Sequence, residues 1–257
     1  MIKVLHKVFD IFELLAETPD KAKSLSDIAG KLKMHPATCA NILQTMVHRH
    51  YVEQIAPRKG YVLGPLVFHV TRQGPYRKDL VTVSEQPMEV LAKDVNETVL
   101  LVILRQGRRF ILSQVNGQQH IQVGPQALGL TNIYETATGR LLLSFMPEHE
   151  VDKVVAEIGL PGKLWPQVSN ITTLRKALAK IRDGGWVCHS PDDETIGLAF
   201  PIHNPEGHVI AAIGLFLPKF RFKGRHQQNV VSGLRRAAKA ISETLEQKSK
   251  CSSKTIE

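Results

Sequence analysis

The apolar positions of this chain follow a helical period first, an alternating one next, and then a mixture of the two. Val4, Val8, Phe9, Ile11, Phe12 and Leu15 recur at helical spacing with charged residues between them, which predicts an opening helix that stops at Thr18-Pro19-Asp20. Leu25, Ile28, Ala29 and Leu32 predict a short second helix, for which Ser26 and Asp27 offer oxygens to the free amides of the first turn. Pro36 suits the first position of a third helix, where Cys39, Ile42, Leu43, Met46 and Val47 share an apolar face. The opposite face holds Ala37, Thr38, Asn41, Gln44, Thr45 and His48, all small or polar and none acidic. Residues 51–55 and 60–63 then alternate like two short strands around Ala56-Pro57-Arg58-Lys59.

A short helix is expected over 66–73, ended by Gly74-Pro75, and another over 79–94, with Leu80, Val83, Met88, Leu91 and Val95 on its apolar side. Pro87 should kink or restart that helix. From Glu97 the period becomes extended: 98–104 and 110–115 read as a hairpin, with a further strand at 121–123. Helices follow at 138–145, starting on the capping residue Thr138, at 148–158, and at 172–183, capped by Thr172 or Thr173 and ended by Gly184-Gly185. An edge strand at 186–188, a loop at 190–194 and a hairpin of 196–202 with 209–215 precede a last amphipathic helix over 225–247. Both hairpin strands are apolar almost throughout and belong at the centre of a sheet. The polar residues 248–257 are expected to be disordered.

Two short helices joined by a tight turn, the second with an uncharged polar face, suit insertion into a DNA major groove. Phosphate would repel an acidic face, whereas amides and hydroxyls pair with base edges. The basic tip at Arg58 and Lys59 suits a phosphate backbone, so the segment reads as a helix-turn-helix with a wing. Lys21 and Lys23, in the preceding loop, are also placed for phosphate. A formal net charge of +9 favours an anionic partner without specifying a fold. The apolar fraction of 43% and charged fraction of 22% are those of a globular chain rather than a disordered or fibrous one. Cys39, Cys188 and Cys251 form neither a disulfide framework nor metal-ligand spacing, which favours a reducing cytoplasm. No apolar run approaches the roughly 20 residues that cross a bilayer, and the opening residues lack a signal-peptide pattern.

Chemistry is harder to find. No nucleophile elbow, Walker loop or GxGxxG after a strand is present, and no cofactor or metal is expected. Asp192, Asp193 and Glu194 form a compact acid cluster without His or Cys at ligand spacing, so a solvated loop is the favoured reading over a metal site. Cys188 and His189, adjacent on a strand, point to opposite faces and cannot act as a pair. A small-molecule hydrolase with an appended winged helix and a protein-interaction module remain the competing readings.

On Leu25, Ile28-Ala29, Thr38, Ile42-Leu43, Tyr51-Val52 and Gly60-Tyr61 the chain resembles the IclR-type bacterial transcription regulators, and the similarity runs over about 4–245. The resemblance implies an α+β protein. A winged helix-turn-helix at 1–64 would be joined by a linker helix at 65–82 to an effector-binding and oligomerisation domain at 83–247, built on a curved, mainly antiparallel sheet flanked by helices. Lys23, Pro36, Ala37, Thr38, Asn41, Gln44, Thr45, His48, Arg58 and Lys59 would contact double-stranded DNA, and the protein would work as a homo-dimer or tetramer without catalysis. Many members have Arg where this chain has Asn41, so its base preference should differ. A small-molecule effector would be held by Thr138, Gly139 and Arg140, by Asp192, Asp193, Glu194 and Gly197, and by Phe200, Gly214 and Phe216. Members that bind small polar carboxylates tend to carry hydroxyl or thiol groups near the last three positions. The expectation is therefore an effector larger or more apolar than a two- or three-carbon acid, or no effector at all.

Overall fold

The computed structural model describes residues 2–56, 59–73, 77–119 and 132–253. They form two compact units, Met1–Tyr76 and Arg77–Glu257. The strand expected at 121–123 lies outside the described residues.

In the first unit, α1 (Lys3–Ala16), α2 (Leu25–Lys31) and α3 (Pro36–His48) enclose one core, and β1 (Val52–Ala56) pairs antiparallel with β2 (Gly60–Leu63). Ile11, Leu14 and Leu15 of α1 meet Ile28 and Ala29 of α2 and Cys39, Ile42, Leu43 and Met46 of α3 there. The cap of α2 is Ser24 rather than Ser26. Its hydroxyl accepts from the Asp27 amide at 3.1 Å while the Asp27 carboxylate accepts from the Ser24 amide, a reciprocal arrangement that satisfies two orphan donors. Val4 and Phe9, expected to face inward, are exposed, because the buried stripe of α1 turns through Leu14 instead. Lys23 adds a bridge to the wing, its amide donating to the Tyr61 carbonyl at 3.0 Å and its carbonyl accepting from Tyr61 at 2.8 Å. Gly60, at φ 106°, permits that approach: a Cβ there would stand 2.9 Å from the Lys23 oxygen. Helix α4 (Pro65–Gln73) closes the unit.

The second unit is built on a five-stranded antiparallel sheet of β3 (Val99–Arg105), β4 (Arg108–Val115), β5 (Val187–His189), β6 (Thr195–His203) and β7 (Val209–Pro218), ordered β4-β3-β7-β6-β5. The expected hairpins are both present, and the two most apolar strands lie inside the sheet with β5 on its edge. One face packs on α5 (Lys78–Val95) and α9 (Gly224–Ser253) through Leu91, Val95, Leu198, Ile213, Val230 and Leu234. The other carries α6 (Ala137–Ser144), whose Ala137, Leu141 and Leu142 meet Leu100, Val102, Ala199 and Ala212. Helices α7 (Glu148–Ile158) and α8 (Ile171–Gly184) complete that side around Trp165 and Leu174. The fold is α+β.

Several local expectations are corrected. Helix α5 runs through Pro87 without restarting. Helix α6 is capped by Thr136, whose hydroxyl accepts from the Gly139 amide, so Thr138 sits inside the first turn. Helix α8 is capped by Asn170, with Thr173 returning the bond as the third helical residue. In both helices the cap lies just before the first apolar residue, and threonines inside the first turn disguise it. Residues 248–253, read as a disordered tail, continue α9, which i,i+4 pairs such as Lys250–Glu246 support. Replacing Ser24 by Ala should cost the first unit about 1 kcal/mol, read as earlier urea unfolding or faster hydrogen exchange of the α2 amides. An unchanged exchange rate would mean the cap contributes nothing.

Candidate functional site

The first unit presents α3 in two halves. Cys39, Ile42, Leu43 and Met46 are buried, whereas Pro36, Ala37, Asn41, Gln44, Thr45 and His48 are exposed and Thr38 is half-buried. His35 caps the helix, its Nδ1 accepting from the Ala37 amide, and Pro36 takes the first position, which needs no donor. Thr45 turns its hydroxyl onto the Asn41 carbonyl at 2.9 Å, so it offers a methyl and a lone pair outward. Lys59 is exposed at the wing, and Arg58 lies outside the described residues. Lys23 does not join them: it is 8% exposed, and its ammonium donates to the Thr18 hydroxyl. The bridge to Tyr61 holds that residue in the body of the unit, so it is withdrawn from the phosphate-binding set.

In the second unit a cavity of about 80 Å³ lies between the N-terminal turn of α6 and the sheet. Since one water needs roughly 10–15 Å³ on this scale, several waters or one compact organic molecule fit. Its lining includes Thr138, Gly197, Gly214 and Phe216 of the sequence-derived set. Their convergence follows from strand register: Gly197 pairs with Phe216, and Gly214 stands opposite both Ala199 and Leu100. Gly214 lets α6 sit close, since a Cβ there would lie 2.5 Å from Thr138 Cγ2 and 2.7 Å from the Leu198 oxygen.

The remaining expected residues lie elsewhere. Phe200 points to the opposite face of the sheet, in the core with α5 and α9, where it stacks on Trp186 at 5.4 Å; successive strand residues alternate, so Phe200 and Gly197 cannot share a side. Arg140 is turned away into the α7–α8 side. Its Nε donates to the Tyr134 carbonyl at 2.7 Å and its Nη2 to Leu164 at 2.6 Å, with the guanidinium 4.1 Å from the Trp165 ring centre. Gly139 is packed on Ile133, where a Cβ would stand 2.2 Å from the carbonyl oxygen. Asp192 organises its own loop, accepting from the Glu194 amide and from the Thr195 amide and hydroxyl; burial raises its carboxyl, and these bonds together outweigh that and hold it below the ordinary value. Asp193 and Glu194 are exposed beside it and do not line the cavity.

Sequence reasoning missed several lining residues, Arg109 and His189 among them. Arg109, 4% exposed, donates from Nε to the Thr138 hydroxyl at 3.0 Å, and burial lowers its pKa to about 10, which leaves it charged at neutral pH. His189 follows Cys188 on β5, opposite Gly197. Burial, then the nearby Arg140 charge, lowers its pKa to about 4, against the opposing effects of a bond to the Glu135 carbonyl and of Asp192. An Arg placed where an otherwise apolar strand alternates inward was the available signal for the first. For the second there was none beyond strand parity.

Residues 76–243 match the family described as Bacterial transcriptional regulator IclR C-terminal, and residues 4–56 match the IclR helix-turn-helix domain. The chain belongs to the IclR family. It is therefore a transcriptional regulator that binds DNA through its helix-turn-helix. Among curated members, the HTH-type transcriptional regulator KdgR of Escherichia coli (strain K12) is 24% identical over 239 residues, covering 92% of this chain and 90% of KdgR. Among solved structures, the IclR regulator of Alicyclobacillus acidocaldarius superposes with a TM-score of 0.74 at 18% identity, over 95% of this chain and 99% of that one. An IclR homologue of Microbacterium hydrocarbonoxydans complexed with 4-hydroxybenzoate does so with 0.74 at 23% identity, over the same two shares. No described helix is long and apolar enough to cross a membrane.

The Arg140 assignment has a direct check. Arg140→Leu strands two carbonyl acceptors and should cost the second unit about 2 to 4 kcal/mol, as a lowered urea midpoint; unchanged stability with altered ligand response would return it to the cavity set. His189 gives a pH signature. Its folded value of about 4 lies below the ordinary 6.5, so the unfolded chain takes up the proton first. Its contribution is complete above pH 6.5 and is lost as pH falls to 4. Urea midpoints should fall over that window, and His189→Phe should flatten the fall; an identical profile in both proteins contradicts the assignment.

Proposed function

We propose that the protein is a homo-dimeric or tetrameric repressor that reads a pseudo-palindromic operator and is modulated by a small molecule in the cavity beneath α6. The observation that carries the first half is the split surface of α3, whose outward half offers amides, hydroxyls and an imidazole but no acid. Asn41 can pair bidentately with adenine, and Thr38, Gln44, Thr45 and His48 flank it on the same face. Pro36 and Ala37 allow the helix start close to the backbone, while Arg58 and Lys59 of the wing supply phosphate contacts. Two copies double the footprint and set half-sites about one helical turn apart or a multiple of it. Repression is preferred to activation because occlusion of the operator needs nothing beyond that footprint, whereas activation needs a further surface for polymerase.

We assign 1–64 to the DNA-binding head, 65–82 to the linker and 83–247 to the effector-binding and oligomerising part. The effector is a compact, largely apolar acid. Leu100, Ile111 and Phe216 favour an apolar body, while the Arg109 charge and the amides at the α6 N-terminus favour an anion. The 4-hydroxybenzoate held by the Microbacterium homologue is of this class. Binding biases the spacing of the two heads, a coupling between distinct sites. The three cysteines are free, which fits a reducing cytoplasm. No turnover is expected.

Selection of bound duplexes from a random pool tests the reading. Wild type should enrich an imperfect palindrome, and Asn41→Ala should lose preference at one base step per half-site; an unaltered preference overturns the role of α3. Lys59→Ala should weaken binding to all sequences alike and lower the slope of log affinity against log salt by about 1.

A further inference from the structure

The sheet of the second unit opens at one end. Strands β3 and β7 pair from Val99↔Leu215 to Val102↔Ala212, but β3 runs on to Arg105 beside β4, and β7 begins at Val209 beside β6. Among the described residues no ladder pair joins the two beyond Val102, so the strands part there. A groove of about 1020 Å³ occupies the opening, with Ile103 and Leu104 on one bank and Val209 and Ile210 on the other. It shares no lining residue with the cavity beneath α6.

Strand parity gives this groove two unlike sides. Leu104 and Val209 belong with Leu142 and Phe145 to the α6 side, which is apolar and has Glu150, Lys153 and Glu157 of α7 at its rim. Ile103 and Ile210 belong to the side covered by α5 and α9. There Arg105 shares the parity of Ile103, and Arg108 stands opposite Arg105. Arg77, the residue before α5, lines the groove as well. Phe110, opposite Ile103, is 44% exposed on that same side. One side therefore offers apolar surface, and the other offers three arginines.

We infer that the groove takes an extended, acidic segment of a partner polypeptide, laid as an added strand along the parted ends of β3 and β7. Such a strand hydrogen-bonds to the backbone at Leu104 or Ile210 and sends alternate side chains to the two sides. Apolar residues then meet Leu142 and Phe145, and carboxylates at every second position meet Arg77, Arg105 and Arg108. Duplex DNA would bring phosphate for the arginines but nothing for the apolar side. A second copy of the chain would have to bring an acidic strand, and among its described strands only β1 holds a carboxylate, Glu53. The inference stands apart from the effector site and does not depend on it.

The test is selection of random dodecapeptides displayed on phage, with the full-length protein as bait. Enriched peptides should alternate apolar residues with Asp or Glu over four to six positions and lack Pro in that stretch. A synthetic peptide of the enriched sequence should slow hydrogen exchange of the Leu104 and Ile210 amides. Its affinity, followed by fluorescence anisotropy, should fall with added salt and drop about tenfold or more in Arg108→Glu. Arg77→Glu serves as a second variant should the first fail to fold. Enrichment of basic peptides or of no common pattern overturns the inference, as does a peptide that binds both variants as tightly as wild type. So does a loss of duplex binding or of self-association in these variants when no acidic peptide is enriched, because the groove then belongs to DNA or to a second copy.

Discussion

The two-sidedness of α3 is the constraint on which the first unit depends. Its Cys39, Ile42, Leu43 and Met46 carry the contacts that close a small core, so the helix cannot rotate about its axis without exposing them. Each such side chain withdrawn from water stabilises the folded state by roughly 1.5–3 kcal/mol, and so the core fixes the orientation of the opposite face. Asn41, Gln44 and His48 are thereby held outward, with no side-chain hydrogen bond to another of the described residues. Their freedom is a consequence of where the apolar residues fall.

The second unit uses the same logic with a sheet. Alternation along β6 sends Leu198 and Phe200 toward α5 and α9, and Gly197 and Ala199 toward α6. The side with small residues is where the short helix can descend, and Gly214 sets how far it does so. What is left between helix and sheet is a cavity with an apolar floor beside the buried Arg109. The α9 face carries the large side chains of the main core, so the two faces of one strand pair differ in what they pack against.

Most of this architecture was legible in the sequence because periodicity reports burial directly. The head, both hairpins and the helices from Glu148 onward fall close to where the apolar spacing puts them, and the boundaries that moved did so where hydroxyl residues crowd a helix start. The site was legible in part. Gly197, Gly214 and Phe216 were reached through the family resemblance, and strand register shows why they converge under α6. Arg140 and Phe200 misled for a physical reason: a helix turn and a strand each send neighbouring residues to different sides, and spacing alone does not say which side holds the cavity. Lys23 misled because a loop lysine is normally solvated, and only the bridge to Tyr61 shows it drawn inward.

The central claim is that the polar half of α3 meets the base edges. Photo-crosslinking from a reactive side chain placed at Gln44, on a duplex the protein has selected, tests it most directly. The account predicts adducts on bases at one defined step of each half-site, lost when unlabelled duplex competes. Adducts confined to protein, or spread along the backbone without a preferred step while binding is intact, would contradict it.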